Sequence, residues 1–83
     1  MIDFFELSAG EEIIVDTKDN TAVVIVANAQ REVFIYDENN NRIAQLKKYE
    51  KYTLPYSTGK YILKYDSNAS WNARIFIVHF FAI

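Results

Sequence analysis

Short apolar runs alternate with clusters of polar turn residues along the whole chain of 83 residues. The runs are rich in Val, Ile, Phe and Tyr, whose branched or ring-bearing side chains pack well on a pleated sheet and lose rotamer freedom in a helix. The clusters, such as TKDN, ENNN and SNASWN, hold residues that tolerate turn geometry or bond their own backbone. This pattern predicts strands at residues 2–7, 11–16, 21–27, 32–37, 42–47, 51–54, 60–66 and 73–82.

One segment has a second interpretation. Ile43, Leu46 and Glu50 would also share one face of a short helix over residues 42–50, although the pattern favours a strand there. Short strands at regular spacing predict an all-β fold, an antiparallel two-sheet β-sandwich of jelly-roll type. Residues 1–83 are too few for a second core, so the sequence predicts a single domain.

Three predicted strands are apolar on both of their faces. Because side chains alternate between the two faces of a strand, a two-sheet sandwich buries only one of them. Residues 21–27, 32–37 and 73–82 nevertheless place mainly Val, Ile, Phe or Tyr at both sets of alternate positions. The second face needs a cover, which a neighbouring loop, the N-terminal Phe4 and Phe5, a second copy or a partner protein would provide. The predicted interface anchors are Phe34, Tyr36, Phe76, Val78 and Phe80.

Composition narrows the classes of partner. Nine basic and eleven acidic residues give a formal net charge of -2 and are spread over the chain, which predicts neither nucleic acid nor an anionic membrane surface as a partner. The chain has no Cys, so a disulfide or thiolate metal site is excluded, and no apolar run approaches the roughly 20 residues of a spanning helix. Asp3 and Glu6 stand where a secretory signal carries Lys or Arg, which predicts a cytoplasmic protein unless a leader has been removed.

The sequence does not contain the set of residues that a known type of catalytic site needs. A hydrolase triad needs a nucleophile, a base and an orienting carboxylate, whereas the single His, His79, lies in an apolar strand. We expect its ring to be partly buried or at an interface and bonded to a carbonyl or hydroxyl oxygen. The clusters DTKDN and DENNN supply oxygen atoms that calcium accepts, but they lack the ligand spacing of a helix-loop-helix calcium loop and are predicted to be turns. The sequence therefore predicts no enzyme, no metal and no cofactor.

Aromatic residues in or near turns suggest a second kind of site. Tyr52, Tyr56 and Trp71 would suit a carbohydrate or another small ligand that stacks on an exposed ring. The other interpretation places Tyr52 with Leu54 on the core as a short strand, and packs Trp71 over the end of the sandwich, where it fixes the last hairpin.

Several segments resemble known β-sandwich families. SAGEEIIVDT, EVFIYDENNNRIAQL and YTLPYSTGKYILKYD resemble the bacterial and archaeal pre-peptidase C-terminal domains, and TGKYILKYDSNASWNARIFIVHF is similar to the end of a Golgi dynamics (GOLD) domain. The resemblance runs from about Leu7 to Phe80. It implies a jelly-roll-like sandwich without catalytic activity, and Trp71 takes the place of the aromatic residue that follows Ser in GOLD-like endings.

Three functional hypotheses follow from these features. The leading one is a non-catalytic domain that uses an apolar sheet face or an edge strand to self-associate as a homo-oligomer or to dock a protein partner. The second is a carbohydrate or small-ligand binding module that uses the turn aromatics. The third is a small virion or surface structural subunit, which would use the same apolar edges for extended assembly.

Overall fold

The computed structural model describes residues 1–55 and 59–81, and within them the chain forms strands joined by turns. The strands are β1 (Ile2–Leu7), β2 (Glu12–Asp16), β3 (Asn20–Asn28), β4 (Val33–Tyr36), β5 (Arg42–Leu46), β6 (Lys51–Leu54), β7 (Lys60–Tyr65) and β8 (Ala73–Phe81). The strand interpretation of residues 42–50 is thereby confirmed for its first part, which is β5, and a turn follows it. No membrane-spanning helix occurs in the described part of the chain.

The strands form two four-stranded antiparallel sheets. The first has the order β1-β8-β3-β6 and is called the β1 sheet; the second has the order β2-β7-β4-β5 and is called the β2 sheet. Most connections pass from one sheet to the other, and the hairpin between β4 and β5 stays within the β2 sheet. Eight strands in this order make a jelly roll, so the predicted fold class is confirmed.

The core lies between the two sheets and is built by alternation along each strand. In β3 the positions of Ala22, Val24 and Val26 are fully buried, while the residues between them are only half-buried. The same alternation buries Tyr61, Leu63 and Tyr65 of β7. The largest fully buried side chains are Tyr65, Leu7, Ile35, Leu54, Leu63, Ile75, Ile77, Val24, Val26 and Val33. Full burial of each aliphatic side chain contributes about 1.5 to 3 kcal/mol to folding.

Tyr65 joins the core to the loops at one end of the sandwich. Its hydroxyl accepts a hydrogen bond from the backbone N–H of Gln30 (3.0 Å) and donates one to the backbone carbonyl of Trp71 (2.9 Å). One buried side chain thus fixes both the β3–β4 loop and the β7–β8 loop, because a buried hydroxyl without partners is costly.

The polar clusters form the turns that the sequence predicted for them. The Asp37 carboxylate accepts hydrogen bonds from the backbone N–H groups of Asn39 and Asn41, both at 2.9 Å, and Asn40 adopts a positive φ of 64°. Asp16 similarly accepts a bond from the N–H of Lys18 at 2.9 Å. These carboxylates stabilise their own turns, which is the role expected for Asx residues at such positions.

Candidate functional site

The outer face of the β1 sheet carries a continuous set of apolar side chains. These residues, called the apolar face below, are Ile2 and Phe4 on β1, Phe76, Val78 and Phe80 on β8, and Val23 and Ile25 on β3. The strand register places Phe4, Phe76 and Ile25 side by side in one cross-strand row. Ile2, Val78 and Val23 form the next row, so apolar residues are neighbours both along and across the strands.

Four side chains of the apolar face are exposed, and Val23, Ile25 and Val78 are half-buried. Ile2 is 65% exposed, Phe80 56%, Phe4 51% and Phe76 38%. The rings of Phe4 and Phe76 are in contact, with centroids 5.1 Å apart and planes inclined at 48°. At roughly 200 Å² for a whole ring, the three Phe residues alone expose about 300 Å². A contiguous patch of this kind is a candidate interaction surface, whereas scattered apolar residues are not.

Polar residues border the apolar face at its ends and sides. Arg74 Nε lies 3.4 Å from Glu6 Oε1 in the row next to Phe4 and Phe76. On the other side, Lys51 and Thr53 of the edge strand β6 lie opposite residues of β3 and are exposed. An apolar centre with a polar border is the usual composition of a protein interface.

The outer face of the β2 sheet has a different composition. The Arg42 guanidinium lies 5.3 Å from the centre of the Phe34 ring, and Lys64 Nζ lies 4.0 Å from Glu12 Oε1. One apolar row crosses this sheet, formed by Ile14, Ile62 and Tyr36. The rows on both sides of it contain charged residues, so this face is more polar than that of the β1 sheet, although Ile14 at its edge is 65% exposed.

The five predicted anchors therefore do not form one surface. Phe76, Val78 and Phe80 belong to the apolar face, whereas Phe34 and Tyr36 lie on the outer face of the β2 sheet, on the opposite side of the sandwich. The reason is topological, since β4 and β8 belong to different sheets and period-two alternation points their outer residues in opposite directions.

The N-terminal aromatics do not act as a cover. β1 pairs with β8 in the plane of the β1 sheet, so Phe4 extends the apolar face, while Phe5 packs against the core. Ile2 also belongs to this face, although the sequence analysis did not select it as an anchor. The sequence I-D-F-F-E-L already indicates this position. Ile2 and Phe4 are two residues apart, so their side chains point to the same face of the strand.

His79 connects three strands at the far end of the β1 sheet. Its side chain is 11% exposed, with Nδ1 2.9 Å from Asn20 Oδ1 and Nε2 3.1 Å from Asp3 Oδ2. Its backbone N–H donates to the carbonyl of Met1 at 2.8 Å. The expected partial burial is observed, and one ring partner is the carbonyl oxygen of the Asn20 carboxamide, as expected, whereas the other is the Asp3 carboxylate. These contacts tie the start of β1 to β8 and β3, a structural role.

The predicted ligand residues are not brought together. Tyr52 is half-buried and packs against the core beside the fully buried Leu54, which is the strand interpretation. Tyr56 lies outside the described residues. Trp71 is 46% exposed, and its backbone carbonyl accepts a hydrogen bond from the Tyr65 hydroxyl; its packing over the end of the sandwich stays a prediction. Within the described residues, no group of three His, Cys, Asp or Glu side chains is arranged to hold a metal ion.

Comparison with solved structures identifies the same architecture in cupin domains. A cupin protein from Bacteroides fragilis superimposes on 98% of this chain with a TM-score of 0.77 and 16% sequence identity. The cupin domain of Cnp3 from Schizosaccharomyces pombe superimposes on 98% of it with a TM-score of 0.71 and 18% identity. The chain spans 64% and 52% of the lengths of these two structures. At such identities the likeness establishes the fold alone.

Comparison of the sequence alone finds no match, in contrast to comparison of the structure. No protein-family model matches the chain, and no curated protein matches its sequence. The resemblance to pre-peptidase C-terminal and GOLD domains is therefore supported only at the level of a jelly-roll sandwich, and membership of neither family is shown. This chain has the jelly-roll β-sandwich fold found in cupin domains.

Proposed function

We propose that this domain is a non-catalytic self-association module that forms a homodimer through the apolar face of the β1 sheet. The observation that carries the proposal is the alignment of exposed apolar side chains in adjacent cross-strand rows, from Ile2 and Phe4 across Phe76 and Val78 to β3. A surface of this composition loses free energy when it leaves water, at roughly 25 cal/mol per Å² of apolar area.

The chemistry of the apolar face favours a second copy of the chain as its occupant. It contains no charged residue, and the Glu6–Arg74 pair at its border is internally neutral, so two copies do not repel each other there. Homodimer interfaces are more apolar than those with transient partners and resemble a core cut in half. A charged partner protein would find few complementary groups on this surface.

The size of the β1 sheet suits face-to-face packing. Four strands and up to nine residues give an outer face of roughly 19 by 30 Å, from strand spacings of about 4.8 Å and rises of about 3.3 Å. Its area of roughly 570 Å² per partner is below the roughly 800 Å² of a standard interface, and the total of about 1,100 Å² is near the lower limit of about 1,000 Å² for a specific one. Two such sheets would pack about 10 Å apart, as sheets do within a sandwich. The arrangement is isologous, with each copy using the same residues.

Two further proposals from the sequence have less support. An extended assembly, as in a virion or surface array, needs a second adhesive patch, whereas the outer face of the β2 sheet is crossed by charged rows. A ligand site made jointly by Tyr52 and Trp71 is not supported either, because Tyr52 packs against the core. The non-catalytic role accords with a core filled by aliphatic and Tyr side chains between the sheets.

Sedimentation equilibrium over a micromolar to submillimolar concentration range tests the proposal. We expect a monomer–dimer equilibrium that approaches twice the chain mass of 9.7 kDa at the highest concentrations. A monomer throughout the range that also fails to bind a hydrophobic dye would contradict it. A monomer that binds the dye would contradict self-association and indicate that the apolar face takes a different protein.

A further inference from the structure

A cleft opens at the end of the β1 sheet, at the polar border of the apolar face. It has a volume of about 400 Å³ and is lined by Glu6, Asn28, Trp71, Asn72 and Arg74. These residues come from the end of β1, the end of β3 and the turn that leads into β8. The volume is within the range of sites that hold small molecules, roughly 300 to 1,000 Å³.

The indole of Trp71 is exposed, and the backbone of the loop that carries it is fixed by hydrogen bonds. Although 46% exposed, it follows a turn in which Ser70 N–H donates to Gln30 Oε1 (2.5 Å), and its own carbonyl accepts the Tyr65 hydroxyl (2.9 Å). Asn68 N–H donates to Asp66 Oδ1 at 2.8 Å. Because the backbone is fixed at these points, a ligand that stacks on the ring does not have to order the loop that carries it.

The polar groups of the cleft are only partly used by the protein. The Glu6 carboxylate accepts from Asn72 Nδ2 (3.0 Å) and pairs with Arg74 Nε (3.4 Å). This arrangement leaves the Asn72 carbonyl oxygen as an acceptor and the terminal nitrogens of Arg74 as donors.

Asn28 adds a buried acceptor without a partner. Its Oδ1 is buried and makes no hydrogen bond with the described residues. The residue sits where the pairing of β3 with β8 shifts register, opposite Arg74. The terminal torsion of an Asn side chain is broad, so rotation of this amide in the cleft wall brings its oxygen to a ligand hydroxyl. A buried acceptor without a partner is destabilising, and such a ligand would relieve the cost.

We propose that this cleft binds a neutral saccharide, with a pyranose ring stacked on the indole of Trp71. The charges of Glu6 and Arg74 cancel within the cleft, which favours an uncharged ligand. The free groups include both donors and acceptors, and hydroxyl groups satisfy both kinds. The aromatic wall suits the apolar face of a sugar ring, and amide and guanidinium groups suit neighbouring hydroxyls. The site adjoins the proposed dimer surface, because Glu6 and Arg74 also form the border of the apolar face, but it uses none of the residues of the apolar face itself.

Intrinsic fluorescence tests the site directly, because Trp71 is the single Trp of the chain. The probes are glucose, galactose and cellobiose, titrated to high millimolar concentration, with glucuronate as the charged comparison. We expect at least one neutral sugar to give a saturable change in Trp71 emission and protection from acrylamide quenching, and glucuronate to bind more weakly.

Two variants distinguish the cleft from general adhesion of sugars to aromatic residues. Asn28→Ala should weaken binding by about fivefold, the loss of one hydrogen bond. Its thermal midpoint should not fall, because the substitution removes an unpaired polar atom. Tyr49→Ala removes an aromatic that is 76% exposed in another turn, and should leave binding unchanged. No saturable change with any neutral sugar, or binding equal in the wild type and Asn28→Ala, would overturn the proposal.

Discussion

The two outer faces of the sandwich are built from strands of similar composition and differ in how their side chains are arranged. On the β1 sheet, Phe4, Phe76 and Ile25 form one apolar row beside a second, so the patch extends in both directions. On the β2 sheet the single apolar row lies between rows that contain Glu12, Lys64 and other charged residues. The difference shows that aromatic content alone does not define an adhesive sheet. The cross-strand neighbours decide whether the rings are covered.

Among the substitutions that would make the two outer faces alike, Phe76→Glu is expected to weaken the dimer most. Phe76 is in the middle of the β1 sheet, between Phe4 and Ile25, so the substitution places a charge at the centre of the proposed interface. We expect the dimer to weaken by at least about 2 kcal/mol, or about thirtyfold, as for central interface residues. Size exclusion with light scattering measures the change. The matched control is Tyr36→Glu on the β2 sheet, and equal loss of the dimer in both variants would contradict the assignment of the interface to the β1 sheet.

A smaller effect, on stability instead of association, is expected for Phe34→Ala. This ring is half-buried under Arg42, with the guanidinium 5.3 Å from its centroid. Loss of the packed ring and of the cation–π contact should lower the free energy of unfolding by about 1 to 2 kcal/mol. Urea denaturation measures the stability, and sedimentation checks that the dimer remains. Arg42→Met retains the aliphatic stem, so its loss should be smaller, and a larger one would contradict this account of the covered ring.

The smallest effect is expected for Lys64→Met. The ion pair of Lys64 with Glu12 spans 4.0 Å, and the two side chains are 42% and 56% exposed. Exposed pairs of this kind contribute about 0 to 1 kcal/mol and are screened by salt. We therefore expect less than about 1 kcal/mol of destabilisation in urea at low salt, and less at high salt. Strong destabilisation, or the appearance of new self-association, would show that this pair has a larger role in covering the β2 sheet than its geometry indicates.

Local patterns in the sequence predict the strands and which residues of a strand share a face. They do not predict which strands are neighbours in a sheet. The sequence of residues 73–82 predicts a strand with apolar side chains on both faces. The structure confirms this in β8, where Ile75 is buried on the inner face and Phe76 is exposed on the outer face. That Phe34 lies on the opposite side of the molecule from Phe76 depends on which sheet receives each strand. This assignment arises from pairing between residues that are far apart in the chain, which period-two alternation does not specify.

The same limit applies to the candidate sites. The Phe4 ring joins the apolar face because β1 pairs with β8 in the plane of the sheet, whereas the sequence suggested Phe4 only as a possible cover of that face. The cleft around Trp71 draws Glu6, Asn28 and Arg74 from three separate segments. Of this group, the sequence singled out only Trp71, because the others are ordinary polar residues until the fold places them together.

The most direct test of the central claim compares Ile2→Glu with Ile14→Glu by sedimentation equilibrium. The two residues are both 65% exposed, both Ile, and both on edge strands, but Ile2 lies on the apolar face and Ile14 on the outer face of the β2 sheet. Each substitution adds the same charge and removes the same side chain. We predict that Ile2→Glu shifts the equilibrium towards monomer, while Ile14→Glu associates like the wild type. An equal effect of both substitutions, or an effect of Ile14→Glu alone, would contradict self-association through the β1 sheet.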